Sequence, residues 1–150
     1  MIRNCSPVVS VAVAGLALSL GLAGCDKSIT DRDIVDIPVS EVVRLSNEAK
    51  TKPEAVLLMD PRRAQEFQAG HLPGAKNVQI DEFSTQLSRQ GRIPAYEKYD
   101  VLVVYGNDPA SAVGRAMTKR LLANEYKDVY WFKGGIEEWV ANGGLLEKSQ

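Results

Sequence analysis

The side chains best suited to chemistry stand in one short stretch that follows an apolar run of the sequence. Asp60, Arg62, Glu66 and His71 combine two carboxylates, a cation and an imidazole. Such a group can move protons as general acids and bases. It can equally satisfy the backbone of a loop through hydrogen bonds, and this second interpretation is favoured because loop polar groups need partners. His71 is the only histidine, and without a thiolate partner it does not form a metal site alone, so neither a metal nor a cofactor is expected.

The cysteines limit the sulfur chemistry that is open to this protein. The sequence has two, Cys5 and Cys25, and the second closes the segment Leu22-Ala23-Gly24-Cys25. A basic start at Arg3 followed by a short apolar stretch is typical of a signal peptide. The complete pattern resembles the lipobox of bacterial lipoproteins, which implies cleavage before Cys25 and a lipid thioether on its sulfur. On that basis the mature chain keeps no free thiol for a disulfide, a thiolate metal site or nucleophilic catalysis.

The lipobox also predicts where the protein resides. We expect a signal peptide at residues 1–24, a lipidated tether at 25–33, and attachment to the extracytoplasmic, periplasmic face of the cell membrane through acyl chains such as palmitate. Asp26 resembles a retention signal for the inner membrane, although the adjacent Lys27 weakens that indication. The alternative is an uncleaved anchor helix, but the uncharged stretch 7–23 is shorter than the roughly 20 residues of a comfortable span.

The rest of the sequence alternates between strand and helix patterns. Strands are predicted over residues 34–37, 55–59, 78–80, 101–105 and 129–132. Helices are predicted from Pro38 to about 48, over 63–69, from a cap at Asp81 to about 90, and over 112–123. A closing helix that contains Trp139 is predicted after Gly134 and Gly135. Apolar strands that alternate with helices indicate an α/β fold with a parallel sheet covered by helices on both faces. With 45% hydrophobic and 25% charged residues, the composition suits one globular domain, placed at residues 34–145.

The polar stretch belongs to a longer pattern. Its members are Asp60, Arg62, Glu66, Gly70, His71, Pro73, Gly74 and Asn77, followed further along by a VVY strand and by Gly134, Gly135 and Trp139. This pattern resembles the rhodanese domain signature over about residues 34 to 143. The resemblance implies a single rhodanese-like domain in which the signature residues are structural. Pro73 and Gly74 suit a tight turn, and the glycine pair suits a sharp reversal before the last helix.

The loop after the VVY strand departs from the family pattern. Active rhodaneses open this six-residue loop with a cysteine whose thiolate takes sulfur from a donor such as thiosulfate, and an arginine often assists. Here the loop reads Gly106, Asn107, Asp108, Pro109, Ala110 and Ser111. By position, glycine replaces the nucleophile and serine replaces the arginine. Pro109 removes one N–H donor and Asp108 adds a negative charge, so we predict that the loop holds no catalytic residue and that sulfurtransferase activity is lost.

Three classes of function stay open. The leading hypothesis is a non-catalytic rhodanese-like module that is displayed from a membrane and binds an unidentified protein partner. The second is a lipoprotein that binds a small neutral or cationic solute in the loop, where Asp108 could be a ligand, although a plain loop residue that caps the next helix is favoured. The third is an enzyme with non-thiol chemistry, in which Ser111 would need a nearby base. A net charge of −1 with interspersed charges gives no footprint for nucleic acid.

Overall fold

The computed structural model describes residues 28–149. The signal peptide, Cys25 and Asp26 lie outside the described residues. Within them, the strands are β1 (Val35–Asp36), β2 (Val56–Asp60), β3 (Lys76–Asn77), β4 (Val101–Tyr105) and β5 (Val129–Phe132). The α-helices are α1 (Val39–Thr51), α2 (Ala64–Ala69), α3 (Ile80–Gln90), α4 (Pro94–Glu97), α5 (Ala112–Ala123) and α6 (Gly135–Ala141).

The strands form one five-stranded sheet in the order β1-β5-β4-β2-β3, and every neighbouring pair is parallel. β4 lies at the centre, between β5 and β2. Its sequence explains that place, because the run VLVVY is apolar and mostly β-branched and its last four residues are buried. Since all strands run the same way, Asp60, Tyr105 and Phe132 end their strands at the same edge of the sheet. Ligands of open α/β folds bind at this carboxyl edge.

One face of the sheet is covered by α3, α4 and α5. Phe83 of α3 is fully buried and packs in one cluster with Leu57 and Met59 of β2. Tyr126 closes the same cluster, and its hydroxyl accepts a hydrogen bond from the N–H of Ile93 at 2.7 Å. That bond fixes the chain just before α4, so this short helix is tied to the core.

The opposite face is covered by α1 and α6. Val42 of α1 and Trp139 of α6 form a second cluster with Val56 and Leu58 of β2. Neighbouring residues of β2 thus point to opposite faces, as the two-residue period of a strand requires. All five residues of β2 are buried, as in a strand covered on both sides. The predicted α/β class, with a parallel sheet and helices on both faces, is confirmed.

β3 lies earlier in the chain than the sequence predicts. Its ladder pairs Lys76 with Met59 and Asn77 with Asp60, and it excludes the whole of the predicted stretch 78–80. Apolar residues of that stretch pack into the core without joining the ladder. The apolar residues of the sequence mark which positions are buried, but pairing with β2 determines which residues form the strand.

Two helices also differ from expectation. α3 begins at Ile80 after the N-cap residue Gln79, so Asp81 lies in the first turn and is not the cap. Its carboxylate is still well placed, because a helix N-terminus favours negative charge. The sequence does not predict α4, since Pro94 reads as a break. In the structure Pro94 occupies the first turn of this helix, where proline costs no hydrogen bond.

The chain enters the domain through a short 3-10 turn, Asp31–Asp33, within the segment assigned to the tether. Thr30 caps this turn, and its N–H donates to the Asp33 carboxylate at 2.8 Å. The Asp31 carboxylate forms an ion pair with Lys119 of α5 at 2.6 Å. This part of the segment therefore contacts the domain. In the part of the chain that the structure describes, no helix is long and apolar enough to cross a membrane.

Candidate functional site

The 106–111 loop joins β4 to α5 at the carboxyl edge of the sheet. It starts at Gly106, which is buried, and reaches solvent at Pro109 and Ala110. The loop ends at Ser111, the N-cap residue of α5. The Ser111 Oγ accepts a hydrogen bond from the N–H of Gly114 at 3.4 Å. β4 and α5 therefore fix both ends of the loop.

Gly106 has no room for a side chain in this conformation. A Cβ atom placed on Gly106 would overlap both Oγ and Cβ of Ser111. Because Ser111 is itself fixed as the cap of α5, it cannot simply rotate away without losing that bond. The loop is thus closed over the space that a side chain at residue 106 would occupy.

The loop uses its own backbone donors. Asp108 Oδ1 accepts a hydrogen bond from the N–H of Ala110 at 2.7 Å. The carbonyl oxygen of Asp108 accepts another from the N–H of Ser111 at 3.1 Å. Pro109 has no N–H. Asp108 therefore forms an Asx turn inside the loop, whereas Ser111, and not Asp108, caps α5. From residue 109 to residue 111, no backbone N–H is left to bind a ligand.

The beginning of the loop is held by α6. The carbonyl oxygens of Gly106 and Asn107 accept hydrogen bonds from the N–H groups of Ile136 at 3.0 Å and Glu137 at 2.9 Å. Gly135 makes this approach possible, because it has a φ of +58° and a Cβ atom there would overlap the Gly106 carbonyl oxygen. The first turn of α6 thus binds the loop directly.

A buried arginine connects the loop to the signature stretch. Arg62 is 6% exposed and binds the fully buried Asp60 through Nε, 2.9 Å from Oδ1, and Nη2, 2.6 Å from Oδ2. Its other donors reach Asn107 Oδ1 at 2.8 Å and the carbonyl of Gly70 at 2.8 Å. Burial alone would lower the pKa of Arg62, but the hydrogen bonds and charge of Asp60 outweigh it and the pKa is raised. Arg62 therefore holds the loop as a permanent cation and has no proton to exchange.

Two asparagines extend this hydrogen-bonded group. Asn107 Nδ2 donates to Glu66 Oε1 at 3.1 Å, so Asn107 bridges Arg62 and Glu66. Asn77 Nδ2 donates to the backbone carbonyls of Asp60 at 2.9 Å and Arg62 at 2.8 Å. The signature stretch and the loop thus form one connected group. The bridging role of Asn107 was missed from the sequence, because its partners lie 45 and 41 residues away along the chain.

Tyr105, the last residue of β4, connects this hydrogen-bonded group to the central strand. Its hydroxyl is buried at the end of β4 and accepts a hydrogen bond from the N–H of Leu72 at 3.2 Å. Burial is the main cause that raises the pKa of Tyr105, and the Asp60 carboxylate beside it adds to the effect. The phenol therefore stays protonated and acts as a fixed polar link between β4 and the signature stretch.

His71 lies apart from the Arg62 group. Its ring stacks on Phe67 with the centroids 3.7 Å apart, and its Nδ1 lies 2.9 Å from the carbonyl oxygen of Phe67. The backbone of His71 pairs with that of Glu147 through two bonds of 2.9 Å. No hydrogen bond joins His71 to Ser111 in residues 28–149. The hydroxyl–base pair that a serine nucleophile needs is therefore not assembled.

The remaining signature residues shape the backbone. Pro73 and Gly74, the latter with a φ of +74°, occupy the centre of the turn 72–75, which is closed by a backbone hydrogen bond of 3.0 Å. Gly134 precedes α6 at a point where a Cβ atom would overlap a side chain of that helix. Trp139 is buried in the core cluster beside α1. Among the described residues, no group of three or more His, Cys, Asp or Glu side chains is arranged to hold a metal ion.

The comparisons with known proteins agree with this geometry. The model of the rhodanese-like domain family matches residues 39–142, which is more than half of the chain. This protein therefore belongs to the rhodanese-like domain family. The prediction of a single rhodanese-like domain is confirmed.

Individual relatives are more distant. The HTH-type transcriptional regulator Rv0324 of Mycobacterium tuberculosis (strain ATCC 25618 / H37Rv) is 32% identical over 63 residues, which are 42% of this chain and 28% of the regulator, so the match spans less than a third of that relative. The rhodanese-like domain of the Alr3790 protein from Anabaena sp. is 25% identical with a TM-score of 0.52, over 72% of this chain and 76% of that one. The polysulfide-sulfur transferase homodimer of Wolinella succinogenes is 19% identical with a TM-score of 0.54, and the match covers 79% of this chain and 82% of that one. The last similarity shows the fold alone.

Proposed function

We propose that this protein is a rhodanese-like module without sulfurtransferase activity, anchored by lipid on Cys25 to the extracytoplasmic face of a membrane, where it binds a protein partner. One observation carries the loss of activity. Gly106 opens the loop, and a side chain there would overlap Ser111. Sulfur transfer in this family needs a thiolate at that place, and the sequence has no cysteine after Cys25.

The backbone of the 106–111 loop supports the same proposal. A persulfide carries negative charge, which backbone N–H groups at a helix N-terminus stabilise. Here the N–H groups of Ala110 and Ser111 already donate to Asp108, and Pro109 offers none. The Asp108 carboxylate would also repel an anion. Residues 109–111 of the loop therefore offer no N–H group to a sulfur anion, and residue 106 supplies no sulfur.

A binding role is supported by the rigidity of the same loop. Arg62 and the first turn of α6 hold its beginning, while Pro109 and Ala110 face solvent. Loops that a scaffold positions in this way are the usual carriers of recognition. A fixed, exposed loop without a nucleophile is suited to contact another protein.

The two alternatives have less support. A solute held in the loop would use Asp108, but that carboxylate already accepts a hydrogen bond from Ala110 within the loop. An enzyme with non-thiol chemistry would use Ser111, whose hydroxyl serves as the cap of α5 and has no histidine bonded to it. We therefore favour the interaction module.

The activity test uses the wild-type protein with thiosulfate as donor and cyanide as acceptor. We expect thiocyanate to form no faster than in a protein-free blank, while an active thiosulfate sulfurtransferase in the same buffer gives a strong signal. Thiocyanate formation that scales with the concentration of the wild-type protein would contradict the proposal.

The anchor is tested by fractionating cells that produce the wild-type chain or Cys25→Ser. We expect the wild type in the membrane fraction with a mass increase from acyl chains, and Cys25→Ser without that mass and released from the membrane. Equal fractionation of both, without acylation, would contradict the anchor and leave the activity test unaffected.

The partner is tested by crosslinking in cells followed by purification from membranes. Ala110→Arg places a large cation on the exposed loop, whereas Ala123→Arg makes the same change at the far end of α5. We expect one recurrent partner with the wild type and with Ala123→Arg, and its loss with Ala110→Arg. A partner that Ala110→Arg retains in full would show that the loop is not the binding surface.

A further inference from the structure

β3 is too short to cover the whole outer edge of β2. Its ladder reaches only the last two residues of that strand, Met59 and Asp60. Gly74 stands two residues before this ladder in the chain and would continue it if β3 were longer. It has a φ of +74° and donates its N–H to Glu147 Oε2 at 2.9 Å instead. Within residues 28–149, the amino end of β2 therefore has no neighbouring strand on its outer edge.

Val56 has its backbone groups on this uncovered edge. The carbonyl of the preceding Ala55 accepts a hydrogen bond from Val101 of β4, and that of Asp60 accepts one from Val78 on the β3 side. Successive residues of a parallel strand direct their N–H and C=O groups to alternate sides, so those of Val56 face the β3 side, like those of Asp60. Neither group of Val56 has a backbone hydrogen-bond partner among the described residues. Val56 thus offers one free main-chain donor and one free main-chain acceptor.

A cavity of about 410 Å³ opens at this edge. Val56 lines it, together with the turn residues Pro73 and Gly74 and with Ser46 of α1. Because the cavity lies between β2 and the turn that leads into β3, it occupies the place that a longer β3 would fill. It is at the amino end of its strand, so it is separate from the 106–111 loop at the carboxyl edge of the sheet.

Ser46 gives an independent indication that this cavity receives a polar ligand. The residue is only 4% exposed, and its hydroxyl has no hydrogen-bond partner in the described part of the chain. The Oγ atom is still open to solvent, unlike Arg115 Nε and Trp131 Nε1, which are unpaired and completely enclosed. Since Ser46 lines the cavity, its hydroxyl opens into it. Buried polar groups are nearly always paired, so this hydroxyl points to a partner from outside the described chain.

The charges around the cavity indicate the kind of ligand. Three lysines and two glutamates line it. Lys98 is paired with Glu54 at 3.1 Å, and the Glu147 carboxylate already accepts a backbone N–H. Lys50 and Lys76 donate only to neutral oxygens of other side chains, and neither forms an ion pair in residues 28–149. The lining therefore has one excess positive charge, carried by unpaired lysines, which suits a ligand with one carboxylate.

We propose that the uncovered edge of β2 binds an extended, acidic peptide segment of another protein as an additional strand. The main chain of the segment would donate to the carbonyl of Val56 and accept from its N–H, as when a peptide adds a strand to a sheet edge. Ser46 and Lys50 are one turn apart on α1 and share a face of that helix. An aspartate or glutamate of the segment would accept from the Ser46 hydroxyl and lie near Lys50 and Lys76. The site does not rest on the lipid anchor, on the 106–111 loop or on the loss of sulfurtransferase activity.

The test titrates a blocked pentapeptide, acetyl-Thr-Val-Glu-Val-Thr-amide, into the isotope-labelled full chain in nonionic detergent. The amide proton resonances are followed by NMR. We expect a saturable downfield shift at Val56, whose N–H gains an acceptor, and no comparable shift at Leu57, whose N–H faces β4. The same peptide with glutamine in place of glutamate should bind about threefold more weakly, because it lacks the carboxylate. No saturable shift with the glutamate peptide would overturn the proposal.

Peptides that carry a single N-methyl group test whether the main chain is bound. In an added strand, only alternate N–H groups face the sheet. N-methylation should therefore weaken binding about tenfold where the N–H donates to Val56, and should have little effect at the adjacent residues. Equal losses at the three central residues would overturn strand addition.

Four variants locate the site on the protein. Lys50→Gln and Lys76→Gln should each weaken binding of the glutamate peptide about threefold and leave that of the glutamine peptide unchanged. Lys133→Gln makes the same charge change after the carboxyl end of β5 and should leave both affinities unchanged. Ser46→Ala removes a hydroxyl that is unpaired in the fold, so it should weaken peptide binding about threefold without lowering the free energy of unfolding. A loss in Lys133→Gln as large as in Lys50→Gln would overturn the proposal.

Discussion

Two segments leave the carboxyl edge of the sheet side by side, and they are stabilised in different ways. The segment after β2 is held by side chains, with Asp60 and Arg62 paired in the interior and Asn77 bonded to their backbone. The loop after β4 is exposed at its tip, and it is held by backbone bonds to α6, by turns that Asp108 and Ser111 form within it, and by one side-chain link from Asn107 to Arg62. The charged signature residues are therefore structural. Their hydrogen bonds do not depend on a nucleophile at residue 106, so they are compatible with a loop that begins with Gly106.

Asp60→Ala is expected to cause the largest loss in the free energy of unfolding, on the side of the comparison that depends on side chains. This change leaves the Arg62 guanidinium buried without its carboxylate, which typically costs about 3–5 kcal/mol. We expect the free energy of unfolding, measured by urea denaturation, to fall by that amount. Glu41→Ala removes the partner of Arg44 in an exposed ion pair and should change little. Similar losses in both variants would mean that burial of the Asp60–Arg62 pair does not matter.

Gly135→Ala tests the backbone contacts between α6 and the loop after β4. An alanine at a φ of +58° is strained, and its Cβ atom would overlap the Gly106 carbonyl oxygen. Gly143→Ala has a similar backbone, with a φ of +81°, but no neighbouring atom within 4 Å. It should therefore report the backbone cost alone, about 1–2 kcal/mol.

We expect Gly135→Ala to cost more than Gly143→Ala and to accelerate hydrogen exchange at the N–H groups of Ile136 and Glu137. Urea denaturation and exchange measured by NMR give the two quantities. Equal costs in the two variants, with unchanged exchange, would show that α6 does not constrain the loop.

Gly106→Cys tests whether the loop after β4 leaves room for a side chain at residue 106. The new side chain overlaps Ser111, and overpacking of this kind costs about 1–3 kcal/mol. Adding Ser111→Gly removes the overlap and should recover most of the loss, whereas Ser111→Gly alone costs only about a few tenths of a kcal/mol because glycine is tolerated at an N-cap. The three free energies of unfolding form a cycle. A Gly106→Cys protein as stable as the wild type would contradict a closed loop.

Tyr105→Phe is expected to cost about 1–3 kcal/mol at neutral pH, because the buried N–H of Leu72 loses its acceptor. Its clearer signature is a pH dependence. Because the pKa of Tyr105 is raised in the folded protein, the unfolded chain releases the phenol proton first, so stability falls as the pH rises above about 10. The variant should show a shallower decline. An unchanged slope would mean that the Tyr105 proton is not retained on folding.

The central elements of the fold could be predicted from the sequence, and the peripheral ones less well. The bounds of β4, α5 and β5 agree with prediction, because apolar β-branched runs and a helical pattern decide these elements locally. β3 is only two residues long, and its place depends on pairing with β2. α4 depends on Tyr126, more than thirty residues from Ile93. Local patterns carry no information about such distant partners.

The same division applies to the candidate site. The turn residues Pro73 and Gly74 could be recognised because their backbone chemistry is local. The contact of Arg62 with Asn107 could not, since it joins two segments that meet only in the folded sheet.

The ion pair between Asp31 and Lys119 has a consequence for how tightly a partner in the same membrane needs to bind. If Cys25 is held in lipid, the few residues from there to Asp31 form a leash that reaches at most roughly 20 Å. Pro109 of the 106–111 loop and Asp31 line the same surface depression. The loop side of the domain then stays in a thin layer above the bilayer. A partner embedded in that bilayer would meet the loop at a high effective concentration, so even a weak contact would suffice to keep the two proteins together.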